Sequence, residues 1–181
     1  MNALLYWPLM AGVVLVDVLT KYVAEQTLSP AGVPTPVVGD LLRWTLVYNP
    51  GAAFGLYLGS YSRWIFLTLS LAALVILWRM YRETSAGHHV RTTAIALVSS
   101  GALGNLIDRI RHEHGVVDFI DVGLGASRWP TFNVADMAVS TGACLLAWVL
   151  WNEGADADAS DGPPSGDRVS ATTRPSSADP A

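Results

Sequence analysis

Four stretches of this chain are apolar for long enough to cross a bilayer, and that bounds what it can fold into. They are residues 3–23, 61–78, 92–110 and 134–150. A bilayer core takes ~20 apolar residues of helix, and a lone apolar segment can satisfy its own backbone there only as a helix. The expected architecture is a membrane all-α bundle of four transmembrane helices. Composition agrees: 51% of residues are hydrophobic and 14% charged, against roughly 25% charged in soluble domains.

Charge is unevenly placed. Six of the fifteen acids and two of the eleven bases lie from Glu153 onward, which leaves nine of each in residues 1–152. No basic patch exists to neutralise phosphates, so nucleic acid is excluded as a partner. Residues 153–181 are acidic and rich in Ser, Pro and Ala. They hold too little apolar surface to fold and are expected to form a disordered tail. Residues 1–152 are then the membrane domain. The single cysteine, Cys144, rules out an internal disulfide and a cysteine metal cluster; inside an apolar run it reads as a small buried hydrophobe. The four histidines lack zinc-site spacing, so no metal is expected.

Polar residues inside apolar spans carry the functional signal. The first span is a poor secretory signal, with no basic segment before it and Asp17 within it. Asp17 and Lys21 are four residues apart and share a helix face. They read as a structural ion pair near the membrane surface, with Lys21 snorkelling outward. A Pro- and Gly-rich turn region follows, and then residues 42–48 alternate. Leu42, Trp44, Leu46 and Tyr48 fall on one side and Arg43, Thr45 and Val47 on the other, a strand pattern. The β region is expected over about residues 24–60, ending in the turn Asn49-Pro50-Gly51. Either this is a plain hairpin corner, or Asn49 binds an extended substrate. The third span carries Asn105, Asp108 and Arg109 at helical spacing, with Gly101 and Gly104 to admit a neighbouring helix. Asp108 is expected in a structural pairing.

Two further carboxylates sit among apolar neighbours. Asp118 lies in Val-Val-Asp-Phe-Ile, and Asp136 follows Phe-Asn-Val-Ala at the start of the fourth span. Isolated buried carboxylates are costly. Two of them close together can share a proton and serve as acid and base, which points to aspartyl peptide hydrolysis. Asp121, beside Gly123 and Gly125, is expected to be solvated. The same buried acids would suit a small transporter or proton relay, but no internal repeat is present and the acids gather near one membrane face. A scaffold with polar helix contacts is a third reading. A presenilin-like protease is disfavoured because its Gly-x-Gly-Asp block is missing.

Five blocks in order resemble the bacterial lipoprotein signal peptidases, the signal peptidase II family. They are Asp17-Val18-Leu19-Thr20-Lys21, Asn49-Pro50-Gly51-Ala52-Ala53-Phe54, Gly104-Asn105-Leu106-Ile107-Asp108-Arg109, Val116-Val117-Asp118-Phe119 and Phe132-Asn133-Val134-Ala135-Asp136. The first departs slightly, with Val18 where members often have Gln. The resemblance implies four spans with a small extracytoplasmic β-cradle in the bacterial cytoplasmic (inner) membrane. It implies an aspartic endopeptidase that cuts diacylglyceryl-modified prolipoproteins before the lipidated lipobox cysteine, with no cofactor. Carried over by position, Asp118 and Asp136 are the catalytic pair. Asn49, Gly51, Asn105, Arg109, Asn133 and Ala135 shape the pocket and hold substrate, and Asp17 and Lys21 support them. Membrane lipid is the expected surrounding partner. Arg79, Arg82 and Arg91 lean the 79–91 turn toward the cytoplasm, which puts both termini there.

Overall fold

The computed structural model describes residues 2–51 and 59–160. Four helices are long and apolar enough to cross a membrane: α1 (Asn2–Thr27), α2 (Ser62–Glu83), α3 (His89–Arg111) and α4 (Val134–Ser160). Short strands β1 (Thr35–Val38) and β2 (Leu42–Asn49) separate α1 from α2. Strands β3 (Val116–Leu124) and β4 (Ser127–Arg128) separate α3 from α4. The fourth helix runs past the expected end of order at residue 152 as far as Ser160: adding residues to a helix already formed costs little, and Glu153 and three alanines favour it.

The bundle is built around α3, which packs against the other three helices. Half of its apolar window is buried within the protein, against about a tenth for α1 and α2. Its small residues make this possible. Ala94, Ala96, Ser99, Ser100, Gly101 and Gly104 are all buried. A Cβ on Gly101 would overlap the backbone oxygen of Ala135, and one on Gly142 of α4 would lie 2.8 Å from the Ala94 oxygen. Lipid is as apolar as a side chain, so close packing of this kind, and not apolar burial, holds membrane helices together. Many large apolar residues of α1, α2 and α4, among them Leu15, Leu69, Val75 and Trp148, face outward. Cys144 is exposed on α4, not buried as expected: it falls on the face turned away from α3.

At one end of the bundle the Asn2 side chain donates to the carbonyl oxygens of Thr84 and Ser85 and accepts from the Gly87 N–H. Arg91 pairs with Glu153 at 2.8 Å. The start of α1, the 84–88 turn and the end of the fourth span therefore lie together. The sheet occupies the opposite end.

That sheet is antiparallel in the order β1-β2-β3-β4. Half of it comes from residues 116–128, outside the region where strand pattern was expected. The β2 alternation also breaks: the register against β3 slips between Trp44 and Val47, and neighbouring Thr45 and Leu46 are both buried. Asp121 is buried too, which corrects its reading as a solvated carboxylate. It accepts bonds from Arg43 Nε at 3.1 Å, Thr45 Oγ1 at 3.0 Å and Arg128 Nε. Burial pushes the Asp121 carboxyl up, but the bonds from Arg128, Thr45 and Arg43 outweigh it and hold the pKa below the ordinary carboxylate value. Asp40 pairs with Arg43 at 3.0 Å and ties the β1–β2 turn to the Gly125 N–H.

Candidate active site

The chain enters β3 directly from α3 and returns to α4 through residues 129–133. Phe132 pairs with Ile120 in an isolated antiparallel bridge, its oxygen accepting from the N–H groups of Phe119 and Ile120. This bridge brings residue 133 back beside Asp118. It is how two carboxylates 18 positions apart in sequence come to one place.

Asn133 caps α4. Its Oδ1 accepts the Asp136 N–H at 2.9 Å, while Asp136 Oδ2 accepts the Asn133 N–H at 3.2 Å. This is a reciprocal cap in which Asn and Asp take the usual Ser and Glu positions. The Asn133 amide then donates to Asp118 Oδ1 at 2.6 Å and reaches Asn105 Oδ1 at 3.2 Å. Asn105 in turn donates to Asp136 Oδ1 at 2.8 Å. Asn49, paired with Val116 at the end of β2, donates to Asp118 Oδ2 at 3.1 Å. The two carboxylates thus hang on one frame of three asparagines. Each oxygen of each carboxylate receives an N–H.

Asp118 is only 2% exposed. Burial, and then the charge of Asp136, push its pKa up to about 7, against the opposing bonds from Asn49 and Asn133. Both carboxylates line a cavity of about 570 Å³. Asn49, Asn105 and Arg109 make its polar wall; Val116, Trp129, Phe132, Met137 and Val139 make an apolar one. Arg109 is buried, its Nη2 donating to the Gly51 oxygen at 3.1 Å and its Nη1 to the Asn105 oxygen at 3.2 Å. It also lies 5.8 Å from the ring centre of Phe66.

A second polar cluster stands behind the first. Lys21 lies 2.8 Å from Asp17 and 2.8 Å from Asp108, and its Nζ donates to Asn105 Oδ1 at 2.9 Å. Asp17 accepts the Ala135 N–H at 2.8 Å, and Asp108 accepts the Val117 N–H at 3.2 Å. Gly104 lets α3 close on Asp17. The ion pair of Asp17 and Lys21 exists, but Lys21 points inward and is 2% exposed, which corrects its reading as a snorkelling residue. Three acceptors inside the bundle outcompete the membrane surface for its three N–H donors. The pairing expected of Asp108 is this one. Among the described residues no group of three His, Cys, Asp or Glu is arranged to hold a metal.

Of the residues expected at the site, Asn49, Gly51, Asn105, Arg109, Asp118, Asn133, Ala135 and Asp136 all fall within this connected network. Ala52, Ala53 and Phe54 of the second block lie outside the described residues. Sequence reasoning missed Arg63, whose side chain bonds the backbone of Arg109, and Phe66. Their only sequence signal is the i, i+3 spacing that puts them on one face of α2.

A family model described as signal peptidase (SPase) II matches residues 9–152. The chain belongs to the signal peptidase II family. Members remove signal peptides from prolipoproteins and are peptidases of the aspartic type. Similar proteins include the lipoprotein signal peptidase of Polynucleobacter necessarius subsp. necessarius (strain STIR1), 42% identical over 139 residues, covering 75% of this chain and 82% of that one. Another is that of Moorella thermoacetica (strain ATCC 39073 / JCM 9320), 38% identical over 138 residues, covering 76% and 87%. A solved structure titled as a bacterial membrane enzyme at 2.3 Å resolution superposes with a TM-score of 0.73 at 31% identity, over 82% of this chain and 88% of that one. The protein is therefore a multi-pass membrane protein with a small antiparallel sheet and with four spans, as its apolar runs suggest.

Proposed function

We propose that Asp118 and Asp136 are the catalytic pair of this peptidase, and that it cuts diacylglyceryl-modified prolipoproteins before the lipidated cysteine. The observation that carries the assignment is the shared asparagine frame, which faces both carboxylates into one cavity with a polar and an apolar wall. A pair of this kind carries one proton between its members. We assign the resting proton to Asp118, the more buried of the two. Asp136 sits in the first turn of α4, where the helix dipole favours negative charge.

In the proposed reaction Asp136 takes a proton from a water, whose oxygen attacks the scissile carbonyl carbon. Asp118 gives its proton to the carbonyl oxygen. When the tetrahedral carbon collapses, the C–N bond breaks and Asp136 passes the proton it holds to the leaving amine. Asp118 recovers its own from the hydroxyl. Arg109, beside Asn105 and Gly51, places positive charge where the carbonyl oxygen gains electron density. Asn49 and Asn133 hold Asp118 in place. The apolar wall and the outward helix faces receive the diacylglyceryl chains from the lipid. Asp17, Lys21 and Asp108 support the frame.

The sheet end of the bundle is assigned to the extracytoplasmic side of the inner membrane, and both termini to the cytoplasm. Arg79, Arg82 and Arg91 flank the opposite turn in support of this.

The test is cleavage of a synthetic lipobox peptide by the purified protein, with and without the diacylglyceryl group. The lipidated peptide should be cut far faster, since each buried CH₂ is worth about 0.8 kcal/mol. Equal rates for both forms would remove lipid from the substrate definition. Turnover by folded Asp118→Asn or Asp136→Asn protein would remove the pair.

A further inference from the structure

Signal peptidase II activity, as assigned above, draws its cavity lining from β2, α3, β3, α4 and the loop before α4. No α2 residue lines that cavity among those described. Yet α2 reaches the site through Arg63. Its Nε donates to the Arg109 oxygen at 2.7 Å, and its Nη2 donates to the Ile110 oxygen at 3.1 Å.

The carbonyls of a helix's last turn have no partner within the helix. A basic residue of the same helix commonly meets them. Arg111 is placed for that role in α3 but is exposed. The task falls instead to a residue of another helix, and one of the two oxygens it takes is that of Arg109. The other end of Arg109 is held from the same face of α2. Phe66 is three positions after Arg63, one helical turn on, and the Arg109 guanidinium lies over its ring. The start of α2 therefore grips Arg109 at its backbone and at its charge. These contacts add to the bonds from its guanidinium to the Gly51 and Asn105 oxygens, and each further contact restricts a long side chain that has many rotamers of its own.

We propose that Arg63 is a positioning residue for Arg109, holding its guanidinium at the cavity wall by anchoring the last turn of α3. This rests on the role given to Arg109 above. Arg63 lies in none of the five sequence blocks, and it touches neither carboxylate. A bare stabilising cap would lower folding stability and leave turnover per folded molecule alone. A positioning residue lowers kcat through Arg109 and leaves KM nearly unchanged.

The experiment is a double-mutant cycle on full-length protein in detergent, using the lipidated peptide. Arg63→Ala should lower kcat about tenfold with KM within about twofold, and Arg109→Lys should lower it at least as much. The double variant should be no slower than Arg109→Lys alone, because the guanidinium that Arg63 positions is already gone. Folded Arg63→Ala with wild-type kcat overturns the proposal, and so do losses that multiply in the double variant. Should Arg63→Ala fail to fold, Arg63→Gln, which can keep one carbonyl bond, carries the test. A kcat between those of wild type and Arg109→Lys supports the role, and a wild-type kcat overturns it. Wild-type protein run alongside separates the two claims: no cleavage by wild type counts against the peptidase reading, not against Arg63.

Discussion

Lys21 Nζ lies 2.9 Å from Oδ1 of Asn105, so a buried ion cluster and the carboxylate pair share one amide. The bond sets which way that amide faces. With its oxygen on Lys21, the Asn105 amide must present its N–H to Asp136. The charge that orients the frame thus comes from α1, a helix that contributes no residue to the cavity wall.

Replacing Lys21 by Met keeps length and apolar packing but leaves Asp17 and Asp108 buried without a cation. Breaking a buried pair in this way costs about 3–5 kcal/mol. Lys21→Met should therefore unfold at much lower temperature in detergent. Adding Asp17→Asn and Asp108→Asn to it should recover much of that loss, because neutral amides tolerate burial better than unpaired carboxylates. A single variant as stable as wild type would show that Lys21 is not holding the cluster.

The pH dependence has a definite sign. Asp118, as the acid, works only while protonated, and its pKa stands at about 7. The rate should fall as pH rises through that region. Asn49 pulls this pKa down by bonding the ionised form. Asn49→Ala removes the bond, so the alkaline limb of kcat/KM should move to higher pH even as the maximal rate drops. An alkaline limb that stayed in place while the acidic limb moved to higher pH would reverse the acid and base assignments. The profile reports the coupled pair, so its direction and not its midpoint is decisive.

Gly104 and Gly12 offer a matched comparison. Both are helical glycines, and replacement by alanine in an open helix position is worth up to ~1 kcal/mol in favour of the helix. A Cβ at Gly12 meets nothing within 4 Å, whereas one at Gly104 collides with the Asp17 carboxylate. Gly12→Ala should be neutral or slightly stabilising. Gly104→Ala should force α3 off α1, lower the melting temperature and cut turnover, since Asn105 is the next residue. Equal melting temperatures for the two variants would show that the Gly104–Asp17 contact does not set how closely α3 packs on α1.

These contacts also mark where sequence reading stops. Asp118 and Asp136 stood out because a carboxylate among Val, Phe and Ala is chemically conspicuous, and the four spans because lipid permits so few solutions. The direction of Lys21 was hidden: spacing puts Asp17 and Lys21 on one face without saying whether that face meets lipid or helix. Strand β3 was hidden because its acids fall three apart, at 118 and 121, and so break alternation. Arg63 was hidden because a lone arginine at the start of a span looks like an interfacial anchor. In each case the missing information was a long-range partner.

Asp121 gives the sharpest test of the catalytic assignment, because it is a second buried carboxylate on the same strand as Asp118. Successive side chains of a strand alternate, so residues three apart point to opposite faces. Asp118 faces the asparagine frame, and Asp121 faces Arg43, Arg128 and Thr45. Two arginines keep Asp121 ionised at neutral pH, where it has no proton to give. Its work is to tie β2, β3 and the short β4 together. Asp121→Asn should cost about 1.5–3 kcal/mol of stability at neutral pH, the worth of a charge-assisted bond. The difference from wild type should shrink as pH falls below the ordinary carboxylate pKa of about 3.9, because the wild-type carboxylate is then lost as well. Turnover per folded Asp121→Asn molecule should stay substantial, while Asp118→Asn should fold and be inactive. Measuring both turnover and melting temperature for the two variants decides it. A folded, inactive Asp121→Asn beside an active Asp118→Asn would move the chemistry to the other face of the strand.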